Sequence, residues 1–180
     1  MKRKKWLLFM LALALWFSDT GKINAIDKVK RTPIEKFVFE IGYKSVEEAL
    51  DDCEAHFNKN IALPYKLPPI EFTHYFGRCT NDLGINNSFE VEYINENSTN
   101  PKKYMIRLRP REHGIEFRKE HIQQTYNLNK GKALYVTKPV NGFNLLVFER
   151  DGWQYTLSID KDVSEQVSPE VLLEIANSFR

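Results

Sequence analysis

Four histidines, His56, His74, His113 and His121, offer the most versatile chemistry in this chain. Two imidazoles reach one metal ion when helical spacing puts them on the same face, and no His-x-x-x-His or His-Glu-x-x-His arrangement occurs. An acid-imidazole step recurs at Glu112-His113 and Glu120-His121, but eight residues of extended chain span on the order of 26 Å. The two steps share an ion only if the chain doubles back between them, which Gly114 permits. Solvated loop or strand residues are the simpler reading, so no metal site is assigned. Acyl transfer through a strained serine needs a Gly-x-Ser-x-Gly elbow, and phosphate binding needs a glycine-rich loop; neither is present. Ser178 has no activating neighbour in sequence. Glu47-Glu48 and Asp51-Asp52 pair carboxylates on the polar side of an expected helix, where solvated charge explains them better than general acid and base work. No catalytic residue and no cofactor follows from these patterns.

The two cysteines, Cys53 and Cys79, lie outside any Cys-x-x-Cys motif, which argues against thiol-redox catalysis. Their number and setting predict a disulfide, with two partly buried thiols as the alternative. Tyr75, Tyr93, Tyr104, Tyr126, Trp153 and Tyr155 could line a sugar or peptide groove, but a packed sheet face accounts for them more simply.

The elements that must position these groups show in the hydrophobic period. Ser45 and Glu48 have capping-box spacing, and Val46, Ala49, Leu50, Cys53 and Phe57 follow at helical intervals. Leu63-Pro64 and Leu67-Pro68-Pro69 then forbid regular helix. From Ile70 the period becomes two. Ile70, Phe72 and Phe76 share a parity with His74, Phe89 to Ile94 and Tyr104 to Arg109 alternate, and further strands are expected at 122–128, 133–137, 143–149 and 153–159. Phe143 to Phe148 is apolar on both parities, which predicts cover on both faces. Asn129-Lys130-Gly131, Asn141-Gly142 and Asp151-Gly152 supply hairpin turns and favour antiparallel pairing. A last helix starts at Ser168-Pro169-Glu170, with Ser168 as cap and a stripe through Val171, Leu172, Ile175, Ala176 and Phe179. The expected fold class is α+β, a curved antiparallel meander of about six or seven strands packed with an N-terminal and a C-terminal helix.

The chain opens with Lys2, Arg3, Lys4 and Lys5 before an apolar run from Trp6 to Phe17, the layout of a secretory signal peptide. Residues 1–25 are read as that signal, with cleavage after Ala25; an uncleaved anchor is the alternative, and membrane contact is expected only then. Residues 26–43, with Phe37, Phe39 and Ile41 alternating, read as a linker or edge strand, and 44–180 as a single α+β domain. The chain has 26 basic and 24 acidic residues; without the signal, 21 basic face 23 acidic. The basic excess belongs to targeting and gives no support for nucleic-acid binding.

Leu63-Pro64 and Leu67-Pro68 after a helix, the segment Gly131, Ala133, Tyr135, the hairpin from Asp151 to Leu157 and the ending Leu172 to Ser178 resemble an uncharacterised extracytoplasmic domain family. That family, of Gram-positive spore-forming bacteria, occurs in exported proteins and as the outer part of membrane-anchored anti-sigma factors. The resemblance covers Ser45 to Arg180 and implies an extracytoplasmic place. It carries over no catalytic residue. The expected function is a non-enzymatic binding or sensing module of the cell envelope, secreted or extracytoplasmic, whose partner is an unidentified envelope protein, peptide, lipid or polymer. The alternative is a secreted hydrolase in which His113 or His121 meets a carboxylate or hydroxyl.

Overall fold

The Ser45 side chain accepts from the Glu48 backbone N–H at 3.2 Å while the Glu48 carboxylate accepts from the Ser45 N–H at 3.4 Å. This reciprocal cap starts helix α2 (Val46–Phe57), which ends as Asn58 turns left-handed at φ 48°. The computed structural model describes residues 32–82, 84–97, 101–138 and 141–179. The signal expected over 1–25 lies outside them. Among the described residues no helix is long and apolar enough to cross a membrane.

The expected linker or edge strand over 26–43 is corrected in its described part, where α1 (Pro33–Glu40) is helical. Thr32 and Glu35 form a second capping box, and Pro33 at the first helical position is pre-set for the turn. Those signals outweigh the alternation of Phe37, Phe39 and Ile41. On the helix Phe37 points to solvent, 60% exposed, while Val38 is buried with Tyr43, Phe76 and Ile94. One compact unit therefore runs from Thr32 rather than from Lys44.

Seven strands follow: β1 (His74–Thr80), β2 (Ser88–Asn95), β3 (Lys102–Pro110), β4 (Ile122–Asn127), β5 (Lys132–Val136), β6 (Phe143–Arg150) and β7 (Trp153–Asp160). Helix α3 (Pro169–Ala176) closes the order. All the strands join one open antiparallel sheet, in the order β1-β2-β3-β7-β6-β5-β4. The α+β class stands, but the single meander needs correction: β3 pairs with β7, and β4 lies at the far edge. Residues 111–121 carry the chain across the sheet, and β4 to β7 then return antiparallel, with tight turns between β4 and β5 and between β6 and β7. Asp151 at φ 50° and Gly152 at φ 77° make the last of these. Ile70 and Phe72 precede β1 and pack on the core without joining the sheet.

The inner face carries Phe89, Val91, Ile106, Leu108, Leu146, Tyr155 and Leu157, all essentially inaccessible to solvent, beneath Ala49 and Cys53 of α2 and Leu172 and Ile175 of α3. Each such Phe, Leu or Val contributes roughly 1.5–3 kcal/mol relative to exposure. Ser168 begins α3 without a side-chain bond to the helix backbone, contrary to the expected cap; its hydroxyl meets Glu170 instead. β6 is covered on both sides, as its double-parity apolar run implies. Leu146 and Phe148 face the helices, and Leu145 and Val147 lie on the outer face in a separate cluster with Phe117.

Candidate binding site

Alternation along β3 sends Tyr104, Ile106 and Leu108 inward, so Met105, Arg107 and Arg109 must face outward. The pairing register places Glu90 of β2 on one side of Arg107 and Thr156 of β7 on the other. Glu90 is only 2% exposed. A carboxylate so placed needs several donors to offset its lost hydration. It accepts from the Tyr43 hydroxyl at 2.7 Å, from Arg78 Nη2 at 2.5 Å and from Arg107 Nε at 2.7 Å, with Arg107 Nη2 as a further donor. Burial pushes the Glu90 carboxyl upward. The Arg107 charge, hydrogen bonds from Tyr43 and Arg107, and the Arg78 charge outweigh it and hold the group below the ordinary glutamate range. Burial and then the bond to Glu90 push the Tyr43 hydroxyl far upward, so it remains a donor. Beside this cluster the half-exposed Lys103 meets the buried Glu92 through its Nζ at 2.8 Å.

Arg109 is treated differently. It is 4% exposed, its Nε donates to the Ile85 carbonyl at 3.1 Å, and its Nη1 is buried without a hydrogen-bond partner. Among the described residues no carboxylate lies within ion-pair distance of it. Burial lowers its pKa, the neighbouring Arg107 charge lowers it further, and Glu90 offsets only part; a guanidinium nonetheless keeps its proton. Thr156, 8% exposed, likewise has a buried hydroxyl oxygen with no partner.

Residues 114–118 form a strap over this face, between short 3-10 turns at Arg111–His113 and Lys119–His121. Gln154 pins the strap through both ends of its amide: Ile115 N–H donates to Oε1 at 2.8 Å, and Nε2 donates to the Ile115 carbonyl at 3.0 Å. Gly114 allows the approach, since a Cβ there would sit 2.9 Å from both the Arg111 carbonyl and Gln154 Nε2. Beneath the strap lies a cavity of about 460 Å³. Met105, Arg107, Arg109, Leu145, Thr156 and Ser158 make its floor, and Ile115, Glu116, Phe117, Arg118 and His121 its roof and rim. The volume falls within the roughly 300–1,000 Å³ usual for small-molecule sites. A wider cleft of about 820 Å³ lies on the other side of the strap, but its Arg111 is already matched to Glu149 at 2.8 Å.

Cys53 and Cys79 stand at disulfide distance, with sulfurs 2.05 Å apart, and tie α2 to β1. The histidines are scattered. His56 Nε2 lies 2.9 Å from Asn87 Oδ1, and His74 Nδ1 lies 2.8 Å from the Thr73 hydroxyl. His113 stands on the first turn beside the strap and His121 on the second, so the chain does not bring the two acid-imidazole steps to one ion. Among the described residues no group of three His, Cys, Asp or Glu side chains could hold a metal. His121 and Glu116 border one cavity without a hydrogen bond between them. Ser178 donates to the Ile175 carbonyl at 2.8 Å and accepts from the Lys66 N–H, a tie between the chain's end and the loop after α2. Glu48 serves the α2 cap, and Asp52 meets Lys44 at 2.6 Å. Of the aromatic set, Tyr104, Trp153 and Tyr155 are buried in the core; Tyr75 alone is well exposed, on the edge strand β1. Arg107 and Arg109 were not singled out by sequence reasoning. The available signal was two arginines on the outward parity of a strand whose inward parity is wholly apolar.

Compared with protein-family models, with curated proteins and with solved structures, the chain matches none of them.

Proposed function

We propose that this chain is an extracytoplasmic binding module that takes up a component of the cell envelope in the cavity beneath the strap, without a reaction of its own. The observation that carries this reading is the cavity's construction: Arg109 and Thr156, each with a buried polar atom that has no partner, line it beside apolar walls, under a segment pinned by two hydrogen bonds. Such a surface holds a ligand. The Cys53–Cys79 pair supports an address outside the cytoplasm, because disulfides persist where thiols are not kept reduced. The lysine-rich start and apolar run support the same address. Membership of the extracytoplasmic family of spore-forming bacteria remains part of the proposal and fits a sensing role.

The test takes the protein expressed from its full gene. Fractionation with mass spectrometry of the N-terminus is expected to find it outside the plasma membrane and beginning near Ile26. Its amide exchange over 114–118 is expected to slow when envelope extract is added, and Ser158→Phe, which fills the cavity, is expected to abolish that protection. Retention inside the cell, or protection unchanged in Ser158→Phe, overturns the reading.

A further inference from the structure

Among the described residues Arg109 is a buried cation with no carboxylate within ion-pair distance. Arg107 beside it is spent on Glu90, through two of its nitrogens. Arg118 at the rim lies within 3.9 Å of Glu120. Arg109 has only the Ile85 carbonyl, and its Nη1 is left over together with the Thr156 hydroxyl on the neighbouring strand. Burying an unpaired charge or an unsatisfied hydroxyl costs free energy, which an ordered water or a bound ligand offsets by completing the group. The single charge of Glu90 is shared between Arg107 and Arg78, so the buried charge of Arg109 is in excess and an anion entering the cavity balances it. Of the remaining lining, Met105, Ile115, Phe117 and Leu145 are apolar, and Ser158 and His121 are polar. Phe117 continues into the apolar cluster of Val136, Leu145 and Val147.

We infer that the cavity binds a single anionic head carried on an apolar chain, with Arg109 and Thr156 holding the head and Phe117, Leu145, Ile115 and Met105 receiving the chain. The inference rests on the binding reading above and narrows it to a ligand class. A carboxylate and a phosphate monoester share the chemistry the site selects, a compact anion able to accept from a guanidinium and a hydroxyl at once. The pairing is geometric: Arg107, between Thr156 and Glu90 in the register, is turned toward Glu90, so Arg109 is the arginine left to read the ligand.

Isothermal titration of the full-length exported protein tests this with sodium decanoate and decyl phosphate, each below its micellar concentration. Decanol, acetate, inorganic phosphate and the tripeptide Ala-Leu-Leu are the comparisons. Decanoate, decyl phosphate or both are expected to bind at least tenfold more tightly than every comparison, and their order tells an acyl acid from a phosphorylated lipid. Arg109→Met is expected to weaken that binding at least tenfold while raising the melting temperature of the ligand-free protein by about 2–4 °C, because it removes the unpaired charge. Thr156→Val, of equal size, is expected to weaken binding several-fold and serves if Arg109→Met fails to fold. Decanol equal to decanoate overturns the role of charge. Acetate or phosphate equal to the long-chain probes overturns the role of the apolar chain, and tighter binding of the tripeptide makes the ligand a peptide terminus. Loss of both long-chain probes, with envelope extract still protecting the strap in a Ser158→Phe-sensitive way, overturns this ligand class and leaves the binding reading standing.

Discussion

Gly77 of β1 lies so close beneath α2 that a Cβ added to it would stand 2.7 Å from the Ala49 Cβ and 2.9 Å from the Val46 Cα. Gly77 also exchanges backbone hydrogen bonds with Lys44, at 2.8 and 3.0 Å. The helix therefore rests on the strand backbone. Gly77→Ala is expected to destabilise the fold by about 1–3 kcal/mol, since helix backbone and not a flexible side chain must give way. Urea unfolding measures it. Ala49→Gly in the same chain should recover only part, because the Val46 contact persists.

Removing the Cys53–Cys79 link should cost more. A closed loop of this length, with a sequence separation of 26, is worth roughly 3.5 kcal/mol in the chain-entropy account. The double substitution Cys53→Ser with Cys79→Ser is expected to lower the urea midpoint accordingly, and reductant should then change nothing further. An unaltered midpoint would show that the link contributes no net stability.

The strap depends on one amide. Gln154→Met leaves the Ile115 N–H and carbonyl without their partner on the sheet, at a cost of about 1–3 kcal/mol if no water replaces it. Amide exchange at Ile115 and proteolysis after Arg118 are expected to accelerate while exchange in β3 stays slow. Gly114→Ala should produce the same local signature by pushing on Gln154 Nε2 and the Arg111 carbonyl.

Glu90 sets an acid limit. Its folded pKa lies below the unfolded one, so its contribution is present above the unfolded glutamate range and disappears as pH falls through the lower folded value. Asp160 has the opposite sign: burial raises it, so its small contribution is present in acid and fades as pH rises through its folded value. Stability against pH is expected to fall below about pH 4 in the wild type. Glu90→Gln should flatten that fall and be less stable near neutrality by about 2–4 kcal/mol, having left Arg107 and Arg78 without their carboxylate. Chemical unfolding at a series of pH values decides this.

Much of the scaffold is legible from local pattern. The α2 stripe through Ala49 and Cys53, all seven strands and the Asp151-Gly152 hairpin depend on neighbours a few residues apart, and periodicity reports those. The Thr32, Pro33 and Glu35 start signal of α1 was also local, but the competing alternation of Phe37, Phe39 and Ile41 masked it. The pairing of β3 with β7 was not legible, because hairpin turns report strands adjacent in sequence and are silent about where a crossover lands. The site inherits that blindness. That Thr156 stands opposite Arg107, and that the 114–118 strap closes over Arg109, follow only once β3 and β7 are side by side.

That central pairing also sets an order of events during synthesis. Tyr104 meets Ile159 and Pro110 meets Trp153, so the middle of the sheet joins residues more than forty positions apart. Until β7 emerges, the long edge of β3 stays open, with Tyr104, Ile106 and Leu108 along it. Contacts of such high order slow folding, and an open apolar edge invites association with other chains. A nascent chain halted before Trp153 is thus a sticky half-sheet, and the segment from Trp153 onward acts as the closing seam of the molecule.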